Sequence, residues 1–161
     1  MFWIHGGGNT SGEAGSYDFS KLAAAHDLVI VSINYRLGFL GWFYHPSFAA
    51  TSNDQGDKSG NFGTLDQIMA LKWVRKNIED FGGDKNNVTI FGESAGGHNV
   101  FALLSSPLAK GLFHKAISQS GATNSFSTKE ASKFFDNKES SLLTSSKAVS
   151  YTHLTLPTTP V

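Results

Sequence analysis

The sequence predicts an α/β fold built on a parallel central sheet, and three observations carry that prediction. Short apolar runs with little polar alternation recur at residues 1–4, 28–33 and 88–91, as expected for strands covered on both faces. A segment with helical periodicity over 64–79 lies between the second run and the third. Glycine-rich turns follow the first and third runs at once. Strand, helix and strand in this order imply parallel pairing through crossover connections.

Met1, Phe2, Trp3 and Ile4 form the end of a first strand, and His5-Gly6-Gly7-Gly8 turn the chain out of it. Three glycines carry an entropic cost that tight turning, or close approach to a ligand, would justify. A helix or turn is expected over 19–26. Leu28, Val29, Ile30, Val31, Ser32 and Ile33 make the clearest strand, rich in β-branched residues, and it reads as a central one. Residues 34–61 form a long, glycine-dotted aromatic connection with room for short helical turns, a length uncommon without a role.

In the helix over 64–79, Leu65, Ile68, Met69, Leu71, Val74 and Ile78 supply an apolar stripe with Lys72 at its margin. Asp66 lies in its first turn, where a carboxylate favours the helix dipole. Phe81-Gly82-Gly83-Asp84 ends it. A strand over 88–91, a turn over 92–96, a helix over 97–105 and a strand over 115–118 complete the pattern. Residues 128–143 read as a weakly patterned helix with Thr128 as its cap. Beyond Ser145 the texture shifts to serine, threonine and proline.

A chain of 161 residues is long enough for one domain with a core. Its 13 basic and 13 acidic residues balance, and no basic stretch points to nucleic acid or an anionic membrane. The absence of cysteine excludes a disulfide scaffold and a thiol nucleophile. The six histidines show no metal-ligand spacing, so neither a metal nor another cofactor is expected. No membrane span or signal peptide is visible. The opening in mid-strand reads as a truncation.

Gly92-Glu93-Ser94-Ala95-Gly96 has the G-x-S-x-G pattern of a nucleophile elbow, and its context, a strand before and a helix after, fits. Such a turn pushes the Ser94 hydroxyl out of the sheet edge and places backbone donors beside it. Gly7 and Gly8, also directly after a strand, can expose their amides without side-chain obstruction, and the amide of Ala95 would be a third donor. Each such donor is worth roughly 3–4 kcal/mol in a transition state. Together these features point to acyl transfer, with Ser94 attacking an ester carbonyl.

A histidine base and an orienting carboxylate should follow the serine in chain order, acid first. His98 is only four residues away on the elbow helix, His114 lies in a crossover, and His153 sits in the biased tail. Glu130, Asp136 and Glu139 fall on a surface helix. None is assigned to a triad. His5 reads as a loop-ordering residue, and Glu93 as a structural support for which Arg36 is one candidate partner.

These motifs resemble the type B carboxylesterase family, which includes cholinesterase-like and bacterial para-nitrobenzyl-esterase-like proteins. The resemblance rests on several ordered stretches: Trp3-Ile4-His5-Gly6-Gly7-Gly8, Asn34-Tyr35-Arg36-Leu37-Gly38-Phe39-Leu40-Gly41, and Gly60-Asn61-Phe62-Gly63-Thr64-Leu65-Asp66-Gln67, the last with Thr64 where leucine is usual. Trp73-Val74, Asn77-Ile78, Phe81-Gly82-Gly83-Asp84, the elbow and Ser118-Gln119-Ser120-Gly121 continue it, and it weakens after Asn124. It implies an α/β-hydrolase fold, present in part, with the visible strands ordered second, first, third, fourth and both edges open. It implies a small-molecule carboxylic ester as substrate, hydrolysed through an acyl-enzyme.

It also implies that family members are several times longer, with the acid and histidine in a part not present here, so that this chain by itself is severely impaired. Residues 1–148 are then a partial catalytic domain. Residues 149–161 resemble translated sequencing-adapter read-through. The family usually has a hydrophobic or aromatic residue after the three glycines, whereas Asn9-Thr10-Ser11 stands here, which makes the acyl-pocket entrance more polar. Trp42, Phe43 and Tyr44 either line the gorge or simply pack.

Two other readings compete. A cholinesterase-like adhesion or binding domain would keep the scaffold without the chemistry, but the retained Ser94 and glycines count against it. A phosphate-binding loop at 6–8 lacks the Gly-Lys-Ser/Thr ending that such loops require. Open sheet edges further predict that the isolated chain aggregates or stays molten.

Overall fold

The computed structural model describes residues 1–44, 50, 51, 53, 54 and 56–123. The expected helix over 128–143 and the tail over 149–161 lie outside the described residues.

Four parallel strands form one sheet: β1 (Phe2–Ile4), β2 (Val31–Ser32), β3 (Thr89–Glu93) and β4 (Lys115–Gln119), in the order β2-β1-β3-β4. This is the order that the resemblance implied. Phe2 pairs with Val31 on one side and Ile90 on the other, and Ile4 pairs with Gly92. The strand expected over 28–33 narrows to Val31–Ser32 and sits at an edge of this sheet, with its side chains half-buried rather than central. The reason is pairing length: only Phe2 and Trp3 of β1 meet it in register.

Successive side chains of a strand point to opposite faces, and both faces of β1 and β3 are covered. Phe2, Ile4 and Ile90 enter a core with Ile68, Leu71, Val74, Val100 and Leu103 from the helices α3 (Phe62–Asn77) and α4 (Ala95–Ser105). Burying each such side chain stabilises the fold by about 1.5–3 kcal/mol. Trp3 and Phe91 point the other way, and Trp3 meets Phe91, Tyr17 and Phe19 at ring separations of 4.8, 5.1 and 5.1 Å. The helix α1 (Ser20–His26) follows this aromatic cluster. Residues 34–44 contain one helical turn, α2 (Gly38–Gly41).

The α3 stripe is narrower than its periodicity implies. Ile68, Leu71, Val74 and Ile78 are buried and Leu65 packs at the margin, but Met69 is 66% exposed. Thr64 and Gln67, polar side chains on the same helix, are buried instead. Trp42 is also buried, edge-on to Tyr35 at 6.0 Å and tight against Gly63, so it packs in the core instead of lining a gorge.

Candidate active site

The register of β1 on β3 decides the site. Because Ile4 pairs with Gly92, the residues leaving the two strands, His5 to Gly8 and Glu93 to Ala95, emerge side by side at the same sheet edge. A Cβ on Gly6 would come within 3.2 Å of the Ser94 Cβ and 2.8 Å of the Glu93 carbonyl oxygen. The first glycine run therefore lies against the serine turn, with no room for a side chain between them. Beneath the turn, Gly96 presses its Cα on the carbonyl of Ile4 so closely that any Cβ would collide with that oxygen. Only glycine lets α4 start that close to β1.

Ser94 joins β3 to α4 with φ 56° and ψ −119°, a backbone conformation that side chains rarely adopt. Its main chain is held from both ends. The amide donates to the Gln119 carbonyl at 2.9 Å, extending the pairing with β4. The carbonyl accepts from the His98 amide at 3.0 Å and from His98 Nδ1 at 2.8 Å. The Ser94 hydroxyl makes no hydrogen bond among the described residues, and the side chain remains partly accessible.

Gly7 and Gly8 are exposed and have positive φ, 98° and 63°. The Gly7 carbonyl accepts from the amides of Thr10 and Ser11 at 3.1 and 3.0 Å and from both hydroxyls at 3.2 and 3.1 Å. That fan of donors turns the carbonyl into its own loop. Among the described residues, the amides of Gly7, Gly8 and Ala95 donate to no acceptor.

The loop stands on a buried polar layer. His5 is 1% exposed, stacks on Tyr35 at 4.4 Å, and donates from Nδ1 to the Gly6 carbonyl at 2.8 Å. This is the loop-ordering role read from the sequence. Tyr35 Oη donates to the His5 carbonyl at 2.5 Å. Burial pushes the Tyr35 phenol well above its ordinary value, and a hydrogen bond from Asn99 offsets part of that rise.

Asn9 departs from expectation. Its side chain does not make the pocket entrance polar but is fully buried, paired with Asn99. Thr10 and Ser11 are the exposed residues of that stretch. Asn99 and Tyr35 were missed as site residues. A signal existed: Asn99 shares the buried face of α4 with Ala95, Ala102 and Leu103, and a polar residue on an apolar face needs a buried partner.

The pairing of Glu93 with Arg36 is also corrected. Arg36 forms a two-pronged pair with Asp66, Nε to Oδ2 and Nη2 to Oδ1 both at 2.8 Å, and its amide donates to Oδ2 at 2.9 Å. The planar guanidinium fork matches a carboxylate that α3 presents beside it. Glu93 instead lies beside Gly6, where a Cβ would meet its Oε2 at 3.0 Å.

No described histidine serves as a base toward the Ser94 hydroxyl. His98 is committed to the Ser94 carbonyl, and Nδ1 of His114 accepts from the Val88 amide at 3.1 Å. Among the described residues there is no cluster of three histidine, aspartate or glutamate side chains that could hold a metal ion, and no helix long and apolar enough to cross a membrane.

Comparison with known proteins agrees with this architecture. A model of the carboxylesterase family matches residues 1–151. The medium-chain fatty acyl-CoA hydrolase precursor of Anas platyrhynchos is 58% identical over 121 residues, covering 74% of this chain and 20% of that protein. The para-nitrobenzyl esterase of Bacillus subtilis is 52% identical over 134 residues, covering 81% of this chain and 26% of that protein. A solved para-nitrobenzyl esterase structure superposes with a TM-score of 0.75 at 49% identity, covering 83% of this chain and 28% of the other. A carboxylesterase of Geobacillus stearothermophilus superposes with a TM-score of 0.73 at 41% identity, covering 84% and 28%. The chain thus spans 20% and 26% of the length of the two curated relatives.

Proposed function

The chain belongs to the carboxylesterase family, and from that premise we propose that it carries the nucleophile and oxyanion loop of a serine-dependent carboxylic ester hydrolase. One observation carries the reading: a serine in a strained turn lies against Gly6 of a glycine loop, and the amides of Gly7, Gly8 and Ala95 donate to no acceptor among the described residues. A hydroxyl and several free donors are what a tetrahedral intermediate requires.

Ser94 Oγ attacks the ester carbonyl, and the amides of Gly7, Gly8 and Ala95 take up the developing oxyanion. The alkoxide leaves as the alcohol, an acyl-Ser94 ester remains, and water then releases the acid. The proton on Ser94 needs a general base, and none of the described histidines is placed for it. The base and its carboxylate therefore come from outside the described residues, and residues 1–148 form one part of the catalytic domain. The substrate class is a small carboxylic ester, in keeping with relatives named for para-nitrobenzyl ester hydrolysis.

The test uses the whole protein that carries this chain, assayed with short-chain aryl esters and labelled with a fluorophosphonate. Turnover and label located on Ser94, both lost in Ser94→Ala, are expected. A whole protein that neither hydrolyses esters nor takes the label at Ser94 would sink the assignment.

A further inference from the structure

Asn9 and Asn99 are 90 residues apart in sequence, yet they form a reciprocal amide pair: Asn99 Nδ2 donates to Asn9 Oδ1 at 2.9 Å, and Asn9 Nδ2 donates to Asn99 Oδ1 at 3.4 Å. Both side chains are fully buried. Asn9 follows directly on the glycine loop, and Asn99 lies on the helix that starts after Ser94. The pair therefore bridges the two segments that bear the unspent amides and the hydroxyl.

Asn9 is fixed by more than its side chain. It takes φ 56°, a left-handed conformation that asparagine tolerates better than other residues with side chains. Its carbonyl accepts from the Gly38 amide at 2.7 Å, and its Oδ1 lies 3.2 Å from Tyr35 Oη. Tyr35 Oη in turn donates to the His5 carbonyl, at the other end of the glycine loop. The loop is thus held at its entrance by Tyr35 and at its exit by Asn9, and Asn99 ties that exit to the Ser94 helix.

We propose that the Asn9–Asn99 pair is a positioning device that sets the distance between the glycine amides and the Ser94 hydroxyl, so that both reach one carbonyl group. Neither residue touches substrate. This rests on the function proposed above. The physical basis is geometric: exposed glycines have no side chains to hold them in place, so their amides stay aimed only if the residues flanking them are anchored. Buried amide groups must also remain paired, which gives the spacing little slack.

The test is a double-mutant cycle in the whole protein, with Asn9→Ala, Asn99→Ala and both together. It reads kcat and KM on an aryl ester and Ki for a trifluoromethyl ketone, which adds to the serine and mimics the oxyanion. Each single change should lower kcat about 10- to 100-fold with KM within about twofold, as expected for loosened alignment. Ki should rise in parallel with the loss of kcat, and the double variant should fall no further than the worse single one.

A pair that only stabilises the fold would lower the melting temperature while leaving kcat and Ki in the folded variants unchanged, and that result would overturn the proposal. Should an alanine variant fail to fold, Asn99→Ser, too short to reach Asn9, supplies the same reading. If the wild-type protein itself does not bind the ketone, the hydrolase assignment fails instead, so the two failures are distinguishable.

Discussion

Gly6 lies directly against Ser94, with space for a hydrogen but not a methyl group between the loop and the turn: a Cβ there would sit 3.2 Å from the Ser94 Cβ and 2.8 Å from the Glu93 carbonyl oxygen. That contact brings the glycine loop and the serine turn to one place. Gly6→Ala must push them apart by a few tenths of an ångström or more. Misalignment on that scale is expected to reduce kcat by about 10- to 100-fold in the whole protein, with a smaller effect on KM. Steady-state kinetics on an aryl ester check it, and unchanged kcat would show that the contact does not set the alignment.

The strain at position 94 resides in the backbone, at φ 56° and ψ −119°, and glycine adopts such a conformation without penalty. Ser94→Gly should therefore be more stable than Ser94→Ala by about 1 kcal/mol, read as a shift in urea midpoint at constant m-value. Both variants should lose kcat by about 10⁴-fold or more. Equal stability of the two would mean that the turn relaxes when the hydroxyl is removed.

The Arg36–Asp66 fork couples the connection after β2 to α3, but its side chains are 49% and 27% exposed, so solvent screens much of the attraction. The ion pair should contribute only about 0.5–1 kcal/mol to stability. Arg36→Lys, which keeps the charge but not the planar fork, should forfeit most of that amount. A double-mutant cycle with Asp66→Asn measures the coupling. A coupling near 3 kcal/mol would show that the pair is far better shielded than its exposure implies.

Tyr35 should give the whole protein an alkaline limit. In the unfolded chain a tyrosine loses its proton near about pH 10, whereas burial keeps the folded phenol protonated to higher pH. Above that pH the unfolded state binds fewer protons than the folded one, so stability falls as pH rises. The contribution is fully present below about pH 10. Tyr35→Phe should flatten the alkaline fall. It should also lower stability near neutrality by about 1–2 kcal/mol, through the lost bond to the His5 carbonyl. Urea midpoints from neutral to alkaline pH check both parts, and an equally steep fall in the phenylalanine variant would assign it to another group.

Local patterns in the sequence were enough to read the elements that bear the proposed site. The run Val88 to Phe91 and the Gly-x-Ser-x-Gly that follows it can form little other than a strand, a sharp turn and a helix. The unalternating apolar residues of β1 and β3 already implied cover on both faces, because a strand exposed on one side would need polar residues at every second position. Periodicity marked α3 to within two residues at its start.

What only the tertiary structure decided are the pairings across long stretches of chain: Asn9 with Asn99, Arg36 with Asp66, Tyr35 with the His5 carbonyl, and the outward turn of Met69. Periodicity reports which face a residue occupies, but not which polar group 30 or 90 residues away completes its hydrogen bonds. That choice is made when the sheet register places Gly6 beside Ser94, which brings Asn9, Tyr35 and Asn99 into one small volume where their buried polar groups meet.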